Sequence, residues 1–121
     1  MWTSHPDDNT PWIQVDLGQE MIVTGMLTQG IQTASRYCVE EFKVKTGLLE
    51  TSLYYLPDND GIGEKTFIVN CADTPDAAVM SEFHSRPGAQ FVRIEPTKCY
   101  KSYNPDETKT LCVLRFEVLG C

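Results

Sequence analysis

Apolar and polar residues alternate with a period of two along several short stretches of this chain. From Trp12 to Leu17, Ile13, Val15 and Leu17 fall on one side and Gln14 and Asp16 on the other, and Gly18 ends the run. Phe42, Val44 and Thr46 alternate with Glu41, Lys43 and Lys45, and Cys112, Leu114, Phe116 and Val118 alternate with Val113, Arg115, Glu117 and Leu119. Successive side chains of a strand point to opposite faces, so each stretch predicts a strand with one buried face. Met21 to Thr28 is more continuously apolar, the pattern of a strand covered on both faces. Thr66 to Asn70, Ala77 to Phe83 and Phe91 to Ile94 predict further strands, the last stopping at Pro96, while Pro57-Asp58-Asn59-Asp60-Gly61 has the chemistry of a turn. No stretch sustains a helical period. Short strands separated by turn signals predict an all-β fold, an antiparallel sandwich or barrel. With no repeat and no internal linker, residues 1–121 read as a single domain.

Charge narrows the function classes. The 121 residues carry a formal net charge of −7. Nucleic-acid phosphates demand a basic face, so no nucleic-acid partner is expected. The same balance disfavours binding to anionic membrane lipid. No apolar run approaches the length of a membrane span. The first residues show neither a basic n-region nor an apolar h-region, so an exported chain of this kind is expected to be a piece of a longer precursor.

The five cysteines stand at 38, 71, 99, 112 and 121, with no C-x-x-C pair. That spacing suggests neither a zinc ribbon nor a dithiol redox site. Scattered cysteines in a loop-rich chain read as disulfide partners in an oxidising, extracellular compartment, and an odd count leaves one over.

Other chemistry-bearing residues carry little. His5 with Asp7 and Asp8 forms a polar loop in which solvation is the simpler reading than metal ligation. Asp58-Asn59-Asp60-Gly61 invites a calcium reading but lacks the EF-hand register and helical flanks. His84-Ser85 shows no triad logic. Asp16 and Arg93 or Arg115, on predicted strands, read as a structural ion pair. No metal, no cofactor and no catalytic residue is expected, and the chain reads as a binding protein rather than an enzyme.

Four ordered motifs carry a resemblance. W-I-Q-V-D-L-G at Trp12 to Gly18 and V-T-G-M-L-T-Q-G at Val23 to Gly30 resemble the signature of discoidin domains, the type C domains of coagulation factors V and VIII. F-V-R-I-E-P at Phe91 to Pro96 and L-R-F-E-V-L-G-C at Leu114 to Cys121 are similar to the last two strands of that family. The resemblance runs from Trp2 to Cys121 and implies an eight-stranded antiparallel jelly-roll sandwich of the galactose-binding type. It also implies an extracellular recognition or adhesion module. The departures are an N-terminal region absent from this sequence, a middle stretch at Leu48 to Tyr55 without the usual tryptophan and turn, and added cysteines at 38, 71, 99 and 112.

Family ligands bind at the loop end of the sandwich. Two segments reach that end, Trp2 to Asp7 and Ile31 to Tyr37. By resemblance to the neuropilin members, Thr3 and Asp7 in the first and Thr33, Ser35 and Tyr37 in the second are the expected ligand-binding residues, although the second loop is shorter here. A carboxylate beside hydroxyls and an aromatic ring suits a guanidinium or sugar hydroxyls, so the expected partner is a glycan or a peptide. The coagulation-factor members imply the alternative of a phosphatidylserine binder, with Ile31 as the inserting residue; a third reading is a ligand-free accessory domain of a secreted enzyme. The family topology implies disulfides Cys38–Cys71 and Cys99–Cys112. Cys121 is then unpaired, or bonded outside this chain in a covalent dimer.

Overall fold

One long strand joins the two layers of the fold. The computed structural model describes residues 1–5, 9–32, 36–58, 61–71, 73–101 and 112–121. Among them the strands are β1 (Trp2–Thr3), β2 (Ile13–Gln29), β3 (Ile31–Gln32), β4 (Arg36–Leu49), β5 (Ser52–Tyr55), β6 (Phe67–Ile68), β7 (Val79–Glu82), β8 (Gly88–Lys101) and β9 (Val113–Gly120), and every pairing is antiparallel. The first half of β2 pairs with β8, which pairs with β4, and β3, β5 and β6 complete that layer on β4. The second half of β2 pairs with β7 and β9 in the other layer, and β1 closes on β9. This is an antiparallel jelly-roll sandwich whose corner is turned inside β2.

Gly18 does not end the first strand; it bends it. Gly18 adopts φ +81°, a conformation that L side chains rarely take, and its amide donates to Asp16 Oδ1 at 2.8 Å. The register against β8 shifts between Asp16 and Met21, and the strand leaves that layer for the other after Ile22, where pairing with β9 begins at Val23.

The core lies between the layers. Val23 and Met26 of β2, Phe42 and Val44 of β4, and Val92 and Ile94 of β8 are fully buried there. Phe67 stacks on Phe42 with ring centroids 5.2 Å apart and tilts against Phe83 at 5.3 Å.

Two further expectations need correction. Met21 to Thr28 buries one face only: Val23, Met26 and Thr28 are buried, Thr24 and Leu27 are half-buried, and Ile22 is exposed. A bulge between Val23 and Gly25 advances the alternation by one residue, which makes the sequence look continuously apolar. Next, β8 runs through Pro96 to Lys101. Phe42 aligns with Pro96 and Glu41 with Lys98, leaving Thr97 unpaired in a bulge, the kind of place where a strand holds proline. The stretch from Leu48 to Tyr55, which departs from the family pattern, forms an irregular hairpin in which Leu49 faces Ser52.

Both expected disulfides are present, Cys38–Cys71 and Cys99–Cys112, and Cys121 is exposed with a free thiol.

Candidate ligand-binding end

The two predicted loop segments are anchored at the same end of the sandwich. There β3 folds back on β4, with Ile31 opposite Tyr37 and Gln32 opposite Arg36. Tyr37, Cys38 and Val39 pair with the far end of β8, opposite Lys101, Tyr100 and Cys99. Cys99 is bonded to Cys112 at the start of β9, and Trp2 and Thr3 pair with Leu114 and Val113 just beyond it. Ser4 completes the link: its amide donates to the Cys112 carbonyl at 2.8 Å, and its Oγ accepts from the Cys112 amide at 2.9 Å. The Cys38–Cys71 bridge fastens the segment before β7 to the same rim. The two disulfides and this reciprocal pair therefore join the first loop segment to the second.

Of the expected ligand residues, Thr3 is exposed on β1 and Tyr37 is half-buried on β4. Asp7, Thr33 and Ser35 lie outside the described residues, as does Asp8 of the loop metal reading. Ile31, the membrane-insertion candidate, is half-buried on β3.

An acidic groove of about 330 Å³ lies beside the Cys38–Cys71 bridge, lined in part by Glu40, Glu41, Asn70, Asp73 and Lys98. A bulge leaves Glu40 without a β8 partner, and Lys98 sits 3.2 Å from its carboxylate. Three carboxylates against one ammonium give the groove a negative balance, which favours cationic groups.

The expected ion pairs of Asp16 and the arginines are replaced by other contacts. Asp16 Oδ1 accepts from Gly18 and from Gln90 Nε2. Arg93 donates to Gln14 Oε1 at 3.0 Å and lies over Trp12, its Cζ 4.1 Å from the ring centroid. Arg115 donates to the Gly30 carbonyl at 2.9 Å. A guanidinium on a sheet surface needs acceptors or a π-face rather than a carboxylate as such. Ser4 was missed for a related reason: its neighbours in sequence are polar, and only its pairing with Cys112 reveals that it is buried.

On the outer face of the same layer, Tyr55 donates its hydroxyl to Glu95, and Lys45 lies over the Tyr55 ring. Hydrogen bonding to Glu95, with burial and the carboxylate charges, pushes the Tyr55 hydroxyl up to about 12.

The sequence matches the F5/8 type C domain over residues 1–114. The chain belongs to that family. It is 34% identical to lactadherin of Rattus norvegicus over 121 residues, covering 99% of this chain and 26% of that protein. It is 32% identical to neuropilin-1a of Danio rerio over 123 residues, covering 99% of this chain and 12% of that protein. With coagulation factor V of Mus musculus it shares 33% over 114 residues, covering 92% of this chain and 5% of that protein. The chain thus spans about a quarter of the lactadherins and far less of the longer relatives. Family membership and two disulfides together make this F5/8 type C domain an extracellular ligand-binding module.

Proposed function

We propose that this domain recognises a glycan or a peptide through the rim that carries both disulfides, and that it acts by binding rather than by catalysis. The observation that carries the reading is the anchoring of Trp2 to Ser4 and of Tyr37 to one end through Cys112, Cys99 and Cys38. Strands that fix the ends of a ligand-binding segment lower the ordering cost of binding. In this reading Asp7 is the anionic anchor, Thr3, Thr33 and Ser35 supply hydroxyls, and Tyr37 forms a wall. The neighbouring acidic groove favours a ligand with a basic end. Net charge −7 and the half-buried Ile31 count against phosphatidylserine membranes.

Calorimetry of Asp7→Asn and Tyr37→Ala against glycans and basic-ended peptides tests the proposal. Asp7→Asn is expected to weaken binding by roughly 1.5–3 kcal/mol, the worth of a hydrogen bond to a charged group. Its effect on stability is expected to stay within about 0.5 kcal/mol. Unchanged affinity in both variants, or selective sedimentation with phosphatidylserine vesicles, would overturn the reading.

A further inference from the structure

Trp12 is an aromatic residue that the fold leaves in water. Its neighbour Ile13 pairs with the fully buried Ile94, so strand alternation turns Trp12 to the outer face of the first layer. Trp12 is 50% exposed. The Arg93 guanidinium covers one face of the ring at 4.1 Å and is steadied by Gln14. A groove of about 490 Å³ opens beside it, lined in part by Asn9, Trp12, Arg93, Glu95 and Thr97. Glu95 is itself held in place, accepting from Tyr55 and lying 3.8 Å from Lys45 Nζ. Thr97, unpaired in the β8 bulge, lines this surface.

We propose that this groove is a second binding site, separate from the rim, and that its ligand is a neutral pyranose unit of a glycan. The chemistry selects the class. A sugar ring has an apolar C–H face that packs on an indole, and hydroxyls that both donate and accept. Arg93 offers donors, Glu95 acceptors, and Asn9 and Thr97 both. Arg93 and Glu95 carry opposite charges, so the groove favours neither an anionic nor a cationic ligand. Its volume lies within the range of small-ligand sites. A Trp12 serving only the fold would have no need of a polar groove beside its exposed half, in which Arg93 and Glu95 are ordered by their own hydrogen bonds.

The test is a titration of the whole chain with methyl glycosides of galactose, glucose and mannose, followed by two-dimensional NMR. The chain has two tryptophans, Trp2 and Trp12, so their indole N–H signals are readily assigned. The expected result is a saturable shift of the Trp12 signal with at least one glycoside, with a Kd on the order of millimolar. Trp12→Ala should abolish the binding. Asn9→Ala and Thr97→Ala, both at exposed positions, should weaken it at least threefold with the amide spectrum otherwise unchanged. If Trp12→Ala does not fold, the two polar variants decide. Thr3→Ala and Asp7→Asn should leave this binding unaltered, which separates it from the rim reading. No shift with any glycoside, shifts confined to the rim, or a response to a proline-rich peptide alone would each overturn the proposal.

Discussion

Ser4 and Cys112, 108 positions apart, exchange two hydrogen bonds: amide to carbonyl at 2.8 Å in one direction, and amide to Oγ at 2.9 Å in the other. The pair closes the rim between β1 and the Cys99–Cys112 bridge. Ser4 is buried, so its hydroxyl is the acceptor for an amide that water does not reach. Ser4→Ala is expected to cost about 1–3 kcal/mol, the penalty of an unsatisfied buried donor. Replacing Cys99 and Cys112 by serine is expected to cost roughly 3 kcal/mol through the loop they close. Urea denaturation measures both. The combined change is expected to fall short of the sum, because the two interactions share Cys112.

Gly30 is required by the close approach of β4. A Cβ placed there would lie 2.0 Å from the Tyr37 carbonyl oxygen and 2.7 Å from Cys38 Cβ. The Gly30 amide also donates to the Pro75 carbonyl at 2.8 Å, so the backbone is held on both sides. Gly30→Ala is expected to destabilise by about 3 kcal/mol, at the upper end for overpacking, because backbone atoms form the obstacle. Thermal unfolding measures the cost. The backbone must shift at Tyr37, so rim binding should weaken in the same variant.

Thr28 is buried on β2, and its Oγ1 has no hydrogen-bond partner among the described residues. A hydroxyl removed from water without a partner costs free energy, and valine has nearly the same shape. Thr28→Val is therefore expected to stabilise the domain by about 1 kcal/mol. A denaturation midpoint that falls instead would show that the hydroxyl is satisfied in solution.

Tyr55 gives the fold an alkaline limit. Its hydroxyl is held to about 12, above the ordinary 10, because the protonated form donates to Glu95. The folded state keeps a proton that the unfolded state gives up above pH 10. This contribution to stability is thus complete below pH 10 and is lost as pH rises toward 12. Phenolate absorbance should show a late-titrating tyrosine, and Tyr55→Phe should remove it. The stability difference between wild type and Tyr55→Phe should be constant below pH 10 and shrink above it.

The period-two pattern by itself determined the all-β class, because strand faces are written locally as alternation. Phe42, Val44, Ile94 and Leu114 are buried as that alternation requires. The motifs from Trp12 to Gly30 and from Phe91 to Cys121 determined the family, and with it the disulfide pairs, which spacing alone left open. Bulges were not legible. Those after Val23 and at Thr97 arise from the mismatch of long twisted strands with their neighbours, a property of the pair rather than of either strand. The partners of charged side chains were not legible either. Arg93 was expected to face a carboxylate, yet it meets Trp12 and Gln14, because β2 and β8 bring those groups level with it. The burial of Ser4 was likewise decided only when β1 closed on β9. Local sequence carries the period and the turns; which polar groups share a face, and which lose contact with water, follows from register between distant strands.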